Sequence, residues 1–518
     1  MRWRSTLPFC SFLKLKKGLH SMKRIVALVL VVLMVALQFT VIGCSKKDNN
    51  PTPKPDNTDN TQTNNTSTDT ENQTIALVKS KYSNYDYNGY AFRVLSIDQG
   101  GHMYRLIDES IANEVWYEED SAESHQHAVF TRNLLANDII GINVVPVWGG
   151  STTEVPELAK TLIKSGGDDF DMVLSSINKL LTLGAEGYLY NFYDIDSFDM
   201  GADWWDQDLI SSYTYKKSKL YTITGDYTIF DDYGVPVIFY NKNVLENFNL
   251  SDPADLVDAG TWTVEAMMEM ANAATQDSSG DGQMTIDDTW GLTDNNHVLT
   301  HFLEGCNTHM TIQDDEGVPQ VNCSSEDFVN TVQFLFNQIA TSPALGCFSN
   351  NDCVDMMLED RALFYYELLG AINSFRDMES VFSLLPLPKK DAGQSNYSSI
   401  VNTVWATSLA VPITNSNFSR TGIVMDVLGG LSTDTVNKSL HEVILGPKLF
   451  REKRTVSMLS YAVNSKAYDW SKEMSWANTI YAVMLEQYDT QTFTLASALQ
   501  SKVKVLQKQL KSFLVGMK

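Results

Sequence analysis

Residues Asp277 to Asp288 read DSSGDGQMTIDD, the stretch whose residue types and spacing come nearest to a defined chemistry. Asp277, Ser279 and Asp281 fall at positions 1, 3 and 5 of a calcium-binding turn, Gly282 at 6, the carbonyl of Gln283 at 7, Thr285 at 9 and Asp288 at 12. Such spacing gathers hard oxygens around one cation. Position 12 carries Asp rather than the longer Glu, and TWGLT after it reads as a strand rather than an exit helix. Both departures argue against a paired, opening calcium switch. The spacing predicts a lone loop that pins one surface turn, either around a structural calcium or as an unmetallated Asx/Gly turn.

Other constellations are weaker. Asp231 and Asp232 are paired carboxylates of the kind a glycosidase uses, but adjacent acids project apart on an extended chain, and 63 acidic residues make such pairs common by chance. There is no G-x-S-x-G elbow, no H-E-x-x-H and no P-loop, and eight histidines are scattered without metal-ligand spacing. Cys306, Cys323, Cys347 and Cys353 cluster in one region without C-x-x-C spacing, which disfavours zinc. An exported chain allows one or two disulfides among them, and four thiols leave three pairings open.

Aromatic residues carry the richer signal. Ten tryptophans and 22 tyrosines exceed what a core requires, and Trp148, Trp204, Trp205, Tyr227, Tyr233, Tyr365, Tyr366 and Trp405 sit at expected strand ends or loops. A sugar ring presents an apolar C–H face edged by hydroxyls, so its site needs flat aromatic surfaces beside polar side chains. Trp204 and Trp205 cannot both face inward from a strand, so an extended backbone there would put at least one on a surface or in a cleft.

The elements that must position these residues follow an α/β pattern. AFRVLSI (91–97), INVVPVW (142–148) and FDMVLSS (170–176) read as strands, with helices expected over about 125–138 and 155–166. Strands flanked by helices favour a parallel sheet buried on both faces. Thr263 precedes apolar residues at helical spacing (Val264, Met267, Met268, Ala271, Ala274) and is the expected N-cap, with a Trp262–Met267 staple. FSLLPLP (382–388) and WATSLAVP (405–412) read as extended segments, and helices dominate from about 420.

With 518 residues the chain exceeds one small domain. Residues 22–44 begin with Lys23 and Arg24, run apolar and end at Val41-Ile42-Gly43-Cys44. That is the layout of a secretory signal closing on a bacterial lipobox, so Cys44 is expected to become the lipidated N-terminus, with Met22 the start and 44–80 a polar, disordered tether. Residues 1–43 hold seven basic and no acidic residues, so their removal moves the formal charge from −24 to −31. Nucleic acid is thereby excluded as a natural partner.

The order of landmarks resembles the extracellular solute-binding lipoproteins of carbohydrate-type ABC importers. It rests on FTRNLLANDIIGINV (130–144), DMVLSS, KKSKLYTITGDYTIFDDYGVPVIFYNKNVLENFNL (216–250), DLVDAGTWTVEAMMEMA (255–271), the Asp-Gly loop before Trp290-Gly291-Leu292, and MMLEDRALFYYELLGAINSFRDM (356–378) leading into FSLLPLPK. The early acidic turn of that family is replaced by a long insertion, 106–127, with Trp116 and Tyr117.

The resemblance implies an α/β, two-lobe type II periplasmic-binding-protein-like fold with extra C-terminal helices. Lobe one would comprise 85–236 plus 387–415 and lobe two 237–386 plus 416–518, with hinge crossings near Val235–Phe239 and Leu384–Pro388. Carried over by position, the cleft would draw on Trp148, Ser175, Ser176, Trp204, Tyr227, Asp231, Tyr366, Glu367 and Trp405. The implied role is a monomeric receptor without catalysis, lipid-anchored on the extracytoplasmic face, that hands a neutral sugar or oligosaccharide to an ABC permease. Two other readings stay open: a secreted carbohydrate-active hydrolase, needing two carboxylates about 5 to 10 Å apart, and a surface lipoprotein that binds or signals without transport.

Overall fold

The computed structural model describes residues 73–98, 113–295, 298–376, 378–440, 453–474, 476–490 and 494–517. Residues 66–518 form one compact unit, and the unit 1–65 lies outside the described residues. The leader, the lipobox at Cys44, most of the tether and the insertion before Asn113 therefore fall outside the described residues. Among the described residues no helix is long and apolar enough to cross a membrane.

The chain enters through α1 (Gln73–Tyr82) and β1 (Tyr90–Ser96). Helix α2 (Ser124–Ile140) ends at Gly141, whose φ of 65° closes the helix and turns the chain into β2 (Ile142–Trp148). A Cβ at Gly141 would stand 2.3 Å from Asp86 Oδ1 in a left-handed conformation, so glycine is required there. Helix α3 (Glu154–Ser165), β3 (Met172–Ser176) and α4 (Ile177–Ala185) complete the first βα repeat. Strand β1 runs parallel to β2 and β3, and every residue of β3 is buried, as a strand covered on both faces should be.

Helices α5 (Gln207–Tyr213) and α6 (Phe230–Tyr233) lead to Gly234 and then β4 (Pro236–Asn241). Helices α7 (Lys242–Asn247), α8 (Ala254–Asp258) and α9 (Val264–Ala273) follow, and the Thr263 side chain accepts from Ala266 N, the expected cap. Next come β5 (Trp290–Asp294), α10 (Val298–Gly305), the hairpin β6 (Thr311–Gln313) and β7 (Pro319–Val321), α11 (Glu326–Leu335), β8 (Leu345–Cys347), α12 (Asn350–Leu358), β9 (Ala362–Leu368) and β10 (Phe382–Pro386). These build a five-stranded sheet in the order β10-β4-β9-β5-β8, in which β4 is antiparallel to both neighbours.

The chain then returns through β11 (Ser399–Ile400) to β12 (Thr407–Ala410), which joins the first sheet antiparallel to β3 and sets its order as β12-β3-β1-β2. Helix α13 (Phe418–Ser432) packs on α1 and α2; α14 (Lys453–Val463) packs on β10 and α8; β13 (Lys466–Ala467) pairs with β11; α15 (Trp476–Thr490) and α16 (Leu495–Leu514) close the chain.

Two sheets, each with its own helices, are thus joined by three adjacent passages of chain. Asn402 N donates to Gly234 O, Val401 N to Ala467 O and Ser399 N to Ser465 O, so the passages near 234, 398–406 and 464–468 are hydrogen-bonded side by side. This differs from the expected hinge. Val237–Phe239 lie inside β4, Leu384–Pro386 lie inside β10, and the return crossing comes more than ten residues later, with a third passage beside it. The C-terminal residues likewise divide between the lobes, since α13 packs with lobe-one helices and α14 with the lobe-two sheet.

Candidate functional site

The strand ends of the first sheet bring together part of the expected set. Trp148, in register with Ser96 at the end of β2, is 42 % exposed and offers a free aromatic face. Ser175 and Ser176 are buried at the end of β3 opposite Ser408 and Thr407, and Ser175 Oγ has no hydrogen-bond partner among the described residues. Trp405 is half-buried on the return passage, its N–H on Asn402 O.

In the second sheet Tyr366 stacks on His301, ring centroids 3.7 Å apart and 8° from parallel, and His301 Nδ1 pairs with Asp294 Oδ2 at 2.9 Å. Burial holds the Tyr366 hydroxyl well above its usual range, so it stays a donor at neutral pH. Glu367, at the end of β9, accepts from Asn350 Nδ2 at 2.9 Å and from Tyr365 OH at 3.1 Å, and burial pushes its pKa up.

Among the described residues Asn178 Oδ1, Ser398 Oγ, Ser399 Oγ and Trp476 Nε1 are buried without a hydrogen-bond partner, while the Thr403 hydroxyl lies beside the Glu473 carboxyl as a hydrogen-bonding neighbour. Asn178 belongs here because its backbone N–H donates to Thr403 O at 3.2 Å, which ties the first turn of α4 to the return passage. The segment Trp470–Met474 packs on α4, bringing Glu473 to the same place. Glu473 Oε1 accepts from Tyr213 OH at 2.8 Å, and desolvation raises its pKa to about 8, leaving a neutral carboxyl that can donate as well as accept. Glu304, on α10 against β11, pairs with Lys472 and also holds one unpaired oxygen. Buried polar atoms without partners are costly, so those of Asn178, Ser398 and Ser399 beside the return passage are groups that a ligand reaching the hinge could satisfy. Hydroxyl groups, which both donate and accept, match this mixture.

Beside the same passages lies a pocket of about 320 Å³ lined by Asp206, Asp226, Thr228, Asp231, Asp232 and Lys466 among others. Lys466 Nζ stands 2.9 Å from Asp231 Oδ2, 2.9 Å from Asp232 Oδ1 and 3.3 Å from Asp206 Oδ2. Asp206 caps α5 through Leu209 N and accepts from Tyr468 OH at 2.7 Å. Burial raises Asp231 to about 7 and raises Asp232 as well, each opposed by Lys466, whose own pKa the carboxylates drive well above normal against its desolvation. Asp226, satisfied by Thr433 and Asn437, is raised by burial to about 6. The expected acid pair is thus committed to one ammonium, an arrangement that fixes three chain segments.

Tyr227, carried to the cleft by position, and Trp204 and Trp205, argued from an extended chain, are all buried. Tyr227 is fully buried with the Arg132 guanidinium 4.2 Å over its ring, inside lobe one. Trp204 and Trp205 are both buried, because the backbone turns there instead of extending. Trp205 Nε1 donates to Asp426 Oδ1 at 3.0 Å, and Gly225, at φ 155°, leaves room for the Trp204 carbonyl, which a Cβ would meet at 2.2 Å. Sequence reasoning missed Asn178, Thr403, Lys466 and Glu473, whose contacts span hundreds of residues and leave no local spacing.

The 277–288 loop folds on itself. Asp277 accepts from Ser279 Oγ, Gly280 N and Gly282 N; Asp281 accepts from Gln283 N. Asp288 Oδ1 takes the N–H groups of Ser278 and Ser279, and Oδ2 takes Thr285 N and Oγ1. These donors hold the carboxyls of Asp277 and Asp288 below the usual range. Among the described residues no three His, Cys, Asp or Glu side chains converge as a metal site. The carboxylates here serve backbone amides, which gives the loop the form of an Asx/Gly turn. Cys306, Cys323, Cys347 and Cys353 are not joined in disulfides, and burial raises Cys306 and Cys353 to about 12.

No protein-family model matches the chain, and no curated protein matches it. Solved structures do. A cyclo/maltodextrin-binding protein complexed with maltotetraose aligns over 82 % of this chain and 99 % of its own at 13 % identity, with a TM-score of 0.53. The extracellular solute-binding protein family 1 of Alicyclobacillus acidocaldarius aligns over 82 % and 100 % at 10 % identity and TM-score 0.49. UgpB from Mycobacterium tuberculosis, in complex with glycerophosphocholine, aligns over 76 % and 97 % at 14 % identity and TM-score 0.49. The first of these likenesses identifies the architecture: the chain has the two-lobe α/β fold of that binding protein.

Proposed function

We propose that this chain is an extracytoplasmic receptor that captures a neutral sugar or oligosaccharide between its two lobes and delivers it, unaltered, to the permease of an ABC importer. The observation that carries the reading is the pair of sheets joined by adjacent hydrogen-bonded passages, with polar atoms of Asn178, Ser398 and Ser399 unpartnered among the described residues beside the return passage and aromatic faces at Trp148 and the Tyr366–His301 stack in the two sheets. The fold shared with a maltotetraose-bound protein supports the class of ligand. Hinged lobes support capture by closure, since a ligand that bridges both lobes binds the closed form better than the open one. A formal charge of −24 favours uncharged cargo over anions. Catalysis is not part of the reading, and Asp231 and Asp232, the acid pair weighed for hydrolysis, are both paired with Lys466. Cys44 is the proposed lipid anchor, and it keeps the receptor close to its transporter.

The test is a thermal-shift screen of the purified protein against neutral mono- and oligosaccharides. A ligand at about 100 times its Kd adds about 2.7 kcal/mol to the native state, so a cognate sugar raises Tm further with the logarithm of its concentration. A flat response across the panel would refute the reading.

A further inference from the structure

Helix α16 opposes the charge of the chain that carries it. The protein has 63 acidic and 39 basic residues, yet from Leu495 onward the sequence holds Lys502, Lys504, Lys508, Lys511 and Lys518 and no acid at all. One stripe of the helix is occupied: Leu499, Leu506, Leu510 and Leu514 are buried where α16 packs on α4, α15 and β7. At 3.6 residues per turn, Lys504, Lys508, Lys511 and Val515 stand at i, i+4, i+7 and i+11 on the opposite side. All four are exposed, Val515 to 59 %, and Val505 beside them is 57 % exposed. None of the lysines from 502 to 511 makes an ion pair with a described residue, although elsewhere on the fold Lys81, Lys160, Lys390, Lys466 and Lys472 all do.

We propose that this lysine and valine face docks on the anionic headgroup surface of the membrane that anchors the chain, and so sets how the receptor stands on it. The inference rests on Cys44 as the anchor. Residues 45–72 separate Cys44 from α1, a length of chain that reaches at most about 100 Å when fully extended. The folded unit therefore meets the membrane surface continually, while soluble acidic partners are met only by diffusion. Charge acts within a screening length of about 8 Å at physiological salt, so the surplus of carboxylates on other faces does not cancel the attraction of a lysine stripe at contact. The same surplus repels acidic faces from an anionic surface, which favours approach by a face that carries lysines and no acid, as that of α16 does. The exposed valines suit shallow contact at the headgroup boundary, as in helices that lie along an interface.

The experiment uses the full lipidated chain incorporated into vesicles of phosphatidylcholine alone or of phosphatidylcholine with phosphatidylglycerol, and reads the rate at which each lysine is modified by a water-soluble amine reagent. Modification of Lys504, Lys508 and Lys511 is expected to fall several-fold in the anionic vesicles and to recover in about 1 M salt, where the screening length is about 3 Å. In the Lys504→Gln/Lys508→Gln/Lys511→Gln variant, the remaining Lys502 should lose its protection in anionic vesicles. Equal modification in both vesicle types, or protection that survives high salt or the triple variant, overturns the docking. A chain that fails to incorporate into either vesicle overturns the anchor and the docking together. Sugar binding is unaffected in either case.

Discussion

Lys466 Nζ lies 2.9 Å from Asp231 Oδ2, an ion pair that joins two passages of the hinge 235 residues apart in sequence. Asp232 and Asp206 complete the cage around the same ammonium. Removing the lysine leaves buried carboxylates facing one another with no cation. Breaking a buried pair from one side costs about 3 to 5 kcal/mol, so Lys466→Met should lower unfolding stability by roughly that amount at neutral pH. Denaturant unfolding checks it, and a loss below about 1 kcal/mol would mean the cage contributes nothing to the hinge.

Stability should fall as pH rises through the neutral range. Burial lifts Asp226 to about 6, Glu114 and Asp231 to about 7 and Glu473 to about 8 in the folded state, all above their unfolded values near 4. Between those limits the native state holds protons that the unfolded state has released, so the slope of stability against pH is negative there. Asp469 works in the opposite sense. Although burial pushes it up, His309 and its other hydrogen bonds outweigh that and hold it near 2, so its contribution is lost only as pH falls below about 4. Melting temperatures across pH should therefore peak in the mildly acidic range, and a maximum above pH 8 would contradict the assignment of buried neutral carboxyls.

Glu473 and Asp469 make a matched pair of substitutions. Glu473 is held neutral, so Glu473→Gln preserves its shape and its protonation and should change stability by less than about 1 kcal/mol. Asp469 is a buried carboxylate that accepts from Met310 N, Thr311 N, Thr311 Oγ1 and Ser471 N. Asp469→Asn turns an amide donor toward those donors and should cost about 2 to 3 kcal/mol. Equal costs for the two changes would show that the charge states are misassigned.

The 277–288 loop should keep its form without metal. Asp288 already accepts four hydrogen bonds and Asp277 three. Adding a chelator is expected to leave Tm unchanged, while Asp288→Ala, which releases the Ser278, Ser279 and Thr285 donors, should lower it. A fall in Tm on chelation that calcium reverses would assign the loop a structural cation.

Local features of this fold were legible in the sequence. Strand β2 spans 142–148 as its apolar pattern requires, Thr263 caps the helix its spacing announces, and TWGLT forms β5 instead of an exit helix. Each is decided by neighbours within a few residues. The hinge is decided otherwise. Strands β11 and β13 have two residues each and carry no periodicity, and their pairing joins Ser399 to Lys466 across the whole C-terminal insertion. Trp204 and Trp205 misled for a related reason: a turn against α13, with Gly225 making room, buries both rings where an extended chain would have exposed one. At the site, aromatic residues at strand ends were visible, whereas Asn178, Thr403 and Glu473 belong to the hinge only because distant segments converge.

Calorimetric titration of the purified protein with neutral sugars, maltotetraose included, bears most directly on the central claim. The account predicts a saturable heat at one ligand per chain that then stops, and its loss in an Asn178→Ala/Thr403→Val variant that still melts cooperatively. Silence across every neutral sugar, or a heat that continues after saturation because glycosidic bonds are being cut, would contradict it.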